Sequence, residues 1–291
     1  MAAQRRRRSG PGLASKGLGY AILVLAMVWV LFPIVIMIFN SFREVGGTFA
    51  YDLGHIVPTF RNYLSLFGLA HEESGVIVTK YNFVTNFRNS IVVSSISTIF
   101  AIALGSLAAY SLSRFKTGGE TLKFDILSFR MFPPIASAIP IFLLMKYLNL
   151  LNTWWALIFA YNTFNVPFAT YVLAGFFDEV STEFEESAMV DGCSRWQAFT
   201  RVTIPIAING VIAAAVLIFL LSWNEFLFAF LLTSSESATI PVAATALITH
   251  AGIRIGEVSA AITVMIIPTL IAVFVLQKFL VKGLTFGAVK G

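Results

Sequence analysis

The apolar residues of this chain fall in runs as long as a bilayer is thick, so they cannot all be folded away into a water-soluble core. A helix that crosses hydrocarbon needs about 20 mostly apolar residues. Such runs occupy Leu18–Phe39, Ser90–Ser113 between Arg88 and Arg114, and Trp154–Phe177 ahead of the acidic stretch opening at Asp178. Two more follow, Val202–Asn224 between Arg201 and Glu225, and Val258–Gln277 closed by Lys278. A soluble domain carries about 25% charged residues, whereas this chain carries 12%, with 57% hydrophobic and a mean hydropathy of +0.82. Nothing here can build a watery surface.

One further segment is shorter and broken. Met131–Met145 lies between Arg130 and Lys146 and contains Pro133, Pro134 and Pro140. Backbone groups freed by proline are tolerated at membrane depth only against other helices or beside a watery cavity. We read it as a span over 131–151, extended by Tyr147–Leu151 with Lys146 snorkelling to the interface. The expectation is an all-α, polytopic membrane bundle of about six transmembrane helices, near 18–39, 90–113, 131–151, 154–177, 202–224 and 258–277.

Six spans place both termini on one side, and the Lys/Arg bias selects it. With the amino terminus inside, the inner segments hold Arg5 to Arg8, Lys16, Arg114, Lys116, Lys123, Arg130, Arg195, Arg201, Lys278, Lys282 and Lys290. The outer loops hold Arg43, Arg61, Lys80, Arg88, Lys146 and Arg254. The bias puts both termini in the cytoplasm, with residues 1–17 a basic cytoplasmic segment and 18–291 one membrane domain. The 26 uncharged residues between Lys16 and Arg43 exceed the roughly 7–15 of a signal-peptide core, which favours a retained anchor helix. The net charge of +5 is spread beside apolar runs instead of forming a patch for nucleic acid.

The residues that build most enzyme centres are scarce. Cys193 is the single cysteine, and His55, His71 and His250 have no ligand-like spacing, so neither a disulfide scaffold nor a metal cluster is expected. Residues 40–89 form the largest outer loop. Phe226–Ser235 is apolar but too short for a seventh span, and fits an interfacial or re-entrant piece. Trp154, Trp155 and Tyr20 sit where interfacial aromatic belts are usual.

The most informative stretch is the inner loop 178–205. Thr182 and Glu185 have capping-box spacing, as do Ser194 and Gln197, and Gly192 is suited to a helix C′ position. The pattern predicts two short helices with a hinge, a helix-turn-helix knob before Pro205. Phe184 and Ala188 share one face of the first helix; Trp196, Phe199 and Val202 share one face of the second. Six acidic residues (Asp178, Glu179, Glu183, Glu185, Glu186, Asp191) against Arg195 and Arg201 would be repelled by an anionic leaflet. A protein-docking helix is favoured over a lipid-lying loop.

Glu186-Ser187-Ala188, Asp191-Gly192, Phe199 and Pro205 resemble the EAA loop of ATP-binding-cassette importer permeases. Ser187 and Cys193 stand where that family usually has alanine. The resemblance implies that the knob docks in a cleft of a partner ATPase and couples it to the pore. Trp223-Asn224-Glu225-Phe226, Ala108-Ala109-Tyr110 with Arg114-Phe115, and the tail Gly283–Gly291 resemble the maltose-transporter type, specifically its smaller permease. The implied partners are an ATPase dimer holding ATP and Mg, a second permease and an extracytoplasmic solute-binding protein. The implied cargo is a sugar or polyol, and the implied location is a bacterial or archaeal inner membrane. This chain has no G-x-x-x-x-G-K-[ST] loop of its own and is expected to bind no cofactor and catalyse no reaction.

Asn162, Asn165, Trp223 and Asn224 are the candidates for a substrate path, weighed against asparagines that merely tie helices together. Glu225 is placed near the outer surface, and Arg130 either at the inner headgroups or in a gate. An ion-driven secondary transporter would need inverted repeats and mid-membrane charges, neither of which is visible. An importer of a non-sugar solute stays open, because the loop motif does not name cargo. An intramembrane enzyme is disfavoured, since no nucleophile has a His or Asp partner within a span.

Overall fold

Helix is the one open-chain conformation that satisfies every backbone group from within, and all six apolar runs adopt it. The computed structural model describes residues 13–43, 58–68, 82–234, 236–249, 252–253 and 255–287. Most of the basic amino-terminal segment, most of the 40–89 loop and the end of the tail lie outside these residues. In chain order the helices are α1 Leu13–Ser41, α2 Arg61–Leu66, α3 Phe83–Phe115, α4 Gly119–Met131, α5 Pro134–Tyr147 and α6 Trp154–Asp178. There follow α7 Thr182–Val190, α8 Arg195–Ala198, α9 Ile204–Ile206, α10 Ile208–Trp223, α11 Leu227–Leu232, α12 Ile240–Thr245 and α13 Ile255–Gly287. A π-helical turn, Phe199–Thr203, joins α8 to α9. Ile248–Thr249 and Gly252–Ile253 form a small antiparallel hairpin. The fold is all-α and polytopic.

Within α1, α3, α6 and α13 are four unbroken helices long and apolar enough to cross a membrane. The remaining two expected spans depart from plan. The run expected at 202–224 is bent by 78° between Arg195–Ile206 and Ile208–Trp223. Pro205 supplies no N–H to the helical ladder, the π turn precedes it, and Ala207 leaves helical geometry at φ −84°, ψ 9°. The run expected at 131–151 is α5 alone, with α4 a separate helix before it. Phe132 is extended (φ −65°, ψ 128°) because it precedes Pro133, and Pro134 opens α5, where a missing N–H costs nothing. At about 1.5 Å per residue the 14 residues of α5 cover about 21 Å, short of the roughly 30 Å hydrocarbon core. Of the expected Tyr147–Leu151 extension only Tyr147 is helical. Asn149 and Asn152 take positive φ (54° and 60°), and Leu150 N–H returns to the Met145 carbonyl at 2.9 Å, turning the chain into α6. Phe226–Ser235 is no seventh span, since α11 is six residues long.

Between membrane helices, close backbone approach by small residues substitutes for a hydrophobic drive. Ala101, Gly105 and Ala109 recur every fourth residue on α3 and are buried against Ala169, Leu173 and Ala174 of α6. A Cβ on Gly105 would lie 2.5 Å from that of Ala169, so only glycine permits this α3–α6 spacing. α1 packs against α13, while the apolar window within it has none of its residues buried.

The end of the bundle where α3 begins is fastened by asparagine amides. Asn62 Nδ2 donates to the carbonyls of Ser41 (2.9 Å) and Arg43 (2.6 Å) where α1 stops. Asn86 Nδ2 donates to the Ala238 carbonyl at 2.7 Å. Asn89 Nδ2 reaches the carbonyls of Glu236 (2.8 Å) and Ala238 (3.0 Å), and its Oδ1 accepts from Trp154 Nε1 at 3.0 Å. Ser90 Oγ accepts the Ile240 N–H at 2.8 Å. The Arg88 guanidinium lies 5.6 Å from the Trp154 ring centre. Trp154 is thus a packing residue of this clamp as well as an aromatic at a helix start.

Candidate functional site

At the other end, α7 and α8 form the expected helical hairpin. Ser181, not Thr182, caps α7, its Oγ accepting the Glu183 N–H at 3.3 Å. Thr182 is already the first helical residue, which frees Glu185 from the capping box expected of it. At the far end of α7, Gly192 takes φ +92°. Gly192 N–H returns to the Met189 carbonyl (3.1 Å) and Cys193 N–H to that of Ala188 (3.0 Å). These two bonds make a Schellman stop, with glycine at C′ where a Cβ would be strained. Ser194 and Gln197 close the capping box of α8: Ser194 Oγ accepts from Gln197 N–H at 3.3 Å and Gln197 Oε1 from Ser194 N–H at 2.8 Å.

Glu185 turns inward instead and is only 4% exposed. Its Oε1 accepts from Arg114 Nε at 2.6 Å and from Thr203 Oγ1 at 2.5 Å, and its Oε2 from Tyr110 Oη at 2.8 Å. Arg114 also donates Nη2 to the Val180 carbonyl at 2.9 Å. Charge-assisted bonds of this length are the strong ones. Burial opposes ionisation of Glu185, but the bonds from Thr203, Arg114 and Tyr110 outweigh it and hold the carboxyl below the usual glutamate range. One carboxylate therefore joins α3, α7 and the π turn.

Phe199 is the second anchor. It is buried, with its ring centre 4.5 Å from that of Tyr110 and 6.1 Å from that of Phe177. A Lys123–Asp178 bridge at 3.0 Å adds a third tie, between α4 and the end of α6. The outward side of the hairpin is different in character. Glu186, Ser187, Asp191, Gly192 and Pro205 are exposed and Ala188 is half-buried. Phe184 and Trp196 are exposed too, and Val190 is 88% exposed, an aliphatic side chain presented at a loop tip. The sequence motif thus divides into Phe199, which anchors, and residues that face away from the bundle.

Of the proposed path residues, Asn162 and Asn165 meet at Ser97 Oγ (3.1 and 3.5 Å), and Asn165 links on to Ser222 beside Trp223. Asn165 is buried, donating to Ser222 Oγ at 2.9 Å. Asn162 donates to Ser97 Oγ (3.1 Å) and to the Ile158 carbonyl (2.8 Å). Trp223 is 1% exposed, donating Nε1 to the Met265 carbonyl at 3.2 Å. Asn224 alone is exposed, with its amide on the Leu220 carbonyl at 2.8 Å. Glu225 is not free at the surface: its Oε1 accepts from Phe228 N–H (2.9 Å) and its Oε2 from Ala229 N–H (3.2 Å), capping α11. Arg130 is placed by its backbone near the end of α4; its side chain lies outside what is described. Among the described residues no group of His, Cys, Asp and Glu could hold a metal.

A multi-pass bundle of this kind, with one helical hairpin braced from inside, defines an integral membrane protein. The family described as binding-protein-dependent transport system inner membrane component matches residues 101–286, and this chain belongs to it. It is 36% identical to the trehalose transport system permease protein SugB of Mycobacterium tuberculosis, covering 82% of this chain and 85% of that one. It is 32% identical to the trehalose/maltose transport system permease protein MalG of Thermococcus litoralis, over 92% and 94%. Among solved structures it is similar in fold to a chain of a bacterial ABC transporter that imports the acidic polysaccharide alginate. The TM-score is 0.69 at 24% identity, covering 93% of this chain and 99% of that one. The chain is a multi-pass inner-membrane transport component of the ABC class.

Proposed function

We propose that this chain forms half of the translocation pathway of a sugar importer and takes its energy from separate ATP-binding-cassette subunits through the Ser181–Pro205 hairpin. The observation that carries this reading is the hairpin's two-sidedness. Glu185 and Phe199 hold it to the bundle, while Glu186, Ser187, Ala188, Val190, Asp191 and Gly192 are left for a partner. A short helix presented this way suits a helix-in-groove contact.

On this reading the hairpin faces the cytoplasm, where ATP is, which agrees with the Lys/Arg bias and puts both termini inside. ATP and Mg are held by an ATPase dimer, with none on this chain. A second, homologous permease completes the pore, and an extracytoplasmic binding protein delivers the solute. The trehalose and maltose relatives make a sugar or related polyol the favoured cargo. Closure of the ATPases on ATP carries the hairpin inward and opens the bundle to the binding protein; hydrolysis resets it.

The test is to tag the chain, extract it gently from its native membrane and identify its companions by mass spectrometry, then assay uptake of labelled trehalose and maltose. Stoichiometric recovery of an ATPase and a second permease, with ATP-dependent uptake, is the expected result. A lone chain that transports in the absence of any ATPase would overturn the reading.

A further inference from the structure

We infer that α3 is a rigid lever by which the hairpin moves the segment spanning residues 226–245 at the opposite end of the bundle, with Glu185 as the positioning residue at one end and Asn86 and Asn89 at the other. The inference rests on the hairpin being the coupling element. Three long helices reach the hairpin, and they differ in stiffness. α6, which leads directly into it, has Pro167 in its interior. α10, which leads out of it, is separated by the π turn and the 78° bend, features that yield under load. α3 runs 33 residues unbroken, with no interior proline or π turn and with its Gly105-Ser106 step packed against Ala169 of α6, although it is no sequence neighbour of the hairpin.

What makes α3 part of the path is the buried set around Glu185. Arg114 and Glu185 have side chains only 6% and 5% exposed, and Tyr110 and Arg114, one turn apart on α3, both bond that carboxylate. Displacing α7 without α3 would strip a buried charge of its partners, so the two move together. From Arg114 to Asn89 is 25 residues, about 37 Å along a helix. There the amides of Asn86 and Asn89 hold the carbonyls of Glu236 and Ala238, and Ser90 holds the Ile240 N–H. A shift of α3 is therefore delivered to backbone groups between α11 and the start of α12, a stretch that Asn152, at the turn before α6, also holds through Ser234 N–H and Ser237 Oγ. Bonds at both ends of one long helix give a contiguous physical path between the hairpin and this segment, and the experiment below tests whether nucleotide binding biases both ends of it.

The experiment uses the purified complex with its ATPase partners, in nanodiscs. Backbone hydrogen exchange of peptides covering residues 226–245 is measured with and without ATP under conditions that trap the closed state. In the unsubstituted complex ATP is expected to change exchange in these peptides. In Glu185→Gln the change is expected to vanish, with ATPase turnover kept within about twofold and sugar moved per ATP down by about tenfold. Asn86→Leu combined with Asn89→Leu, which removes both amide ties at the far end and leaves the hairpin alone, is expected to abolish most of the ATP-dependent change while hairpin peptides still respond. Should Glu185→Gln not assemble, Tyr110→Phe removes one of the three bonds and is expected to reduce the change. Persistence of the full change in Glu185→Gln or in the Asn86→Leu, Asn89→Leu double variant overturns the lever, as does its absence from an unsubstituted complex that transports. A complex whose uptake ignores ATP altogether instead sinks the coupling role of the hairpin.

Discussion

The two ends of this bundle solve the same problem by different chemistry. Both must fasten short, irregular backbone onto long helices. At the hairpin end the fastening is ionic, one buried carboxylate receiving an arginine, a tyrosine and a threonine. At the other end it rests mainly on neutral amides, with Asn62, Asn86 and Asn89 donating hydrogens to backbone carbonyls, alongside carboxylates that accept from Ser65 (Glu257) and from backbone N–H groups (Glu225). A buried ion pair is hard to break but unforgiving in geometry, because removing one partner strands a charge. Amide clamps are individually worth about 1 kcal/mol and fail one at a time. The difference teaches that the hairpin is fixed in one orientation, whereas the opposite loops are held by several separable ties.

The largest effect should come from stranding that charge. Arg114→Met is expected to lower stability by about 3–5 kcal/mol, against about 1–3 kcal/mol for Asn89→Ala. Thermal unfolding in detergent compares the two, and equal losses would break the contrast between the ends. Gly192→Val comes next. No atom lies within 4 Å of a Cβ there, so its cost is backbone strain at φ +92°, of order 1–3 kcal/mol. ATPase activity without matching sugar uptake is the expected phenotype, measured as transport per ATP; normal uptake by well-expressed protein would show that the turn can relax.

Acid sharpens the same comparison. The Glu185 carboxyl titrates below its ordinary value of 4.5 when folded, so its contribution is complete above that value and is lost as pH falls through the lower folded value. Melting temperature should drop over that acid range in the parent, and Glu185→Gln should lack this component, whereas Asn89→Ala should retain it. The smallest effects belong to the path asparagines. Asn165→Ala, which loses its bond to Ser222, is expected to cost about 1 kcal/mol, and exposed Asn224→Ala less than about 0.5 kcal/mol. A selective rise in the substrate KM for Asn224→Ala, with the melting point unchanged, would mark it as a solute contact.

The long apolar runs, the Ser194–Gln197 box and the Gly192 stop were legible because each depends on neighbours within a few residues. Glu185 was not. Its spacing from Thr182 mimics a capping box, and only the fold shows that its partners are Tyr110 and Arg114, 75 and 71 residues away. The available signal was Tyr110 and Arg114 four residues apart on one helix face, which by itself reads as an interfacial pair. The proline-broken third run announced a defect, but its short length followed from how Pro133 and Asn149 turn the chain. Glu225 looked like a surface charge because nothing in sequence reveals that α11 begins two residues later and needs a cap.

The exposure of α1 carries a consequence for how the protein is made. Its apolar window has nothing buried, and the helix it packs against, α13, is the last in the chain. α1 then meets α13 only after the more than two hundred residues between them have been added. Lipid covers its apolar surface through that interval as it does afterwards, and a ribosome that stalls before Ile255 releases a chain in which α1 lacks its contact with α13. Closure of the bundle around its first-made helix is therefore among the last contacts of assembly, made only when α13 is in place.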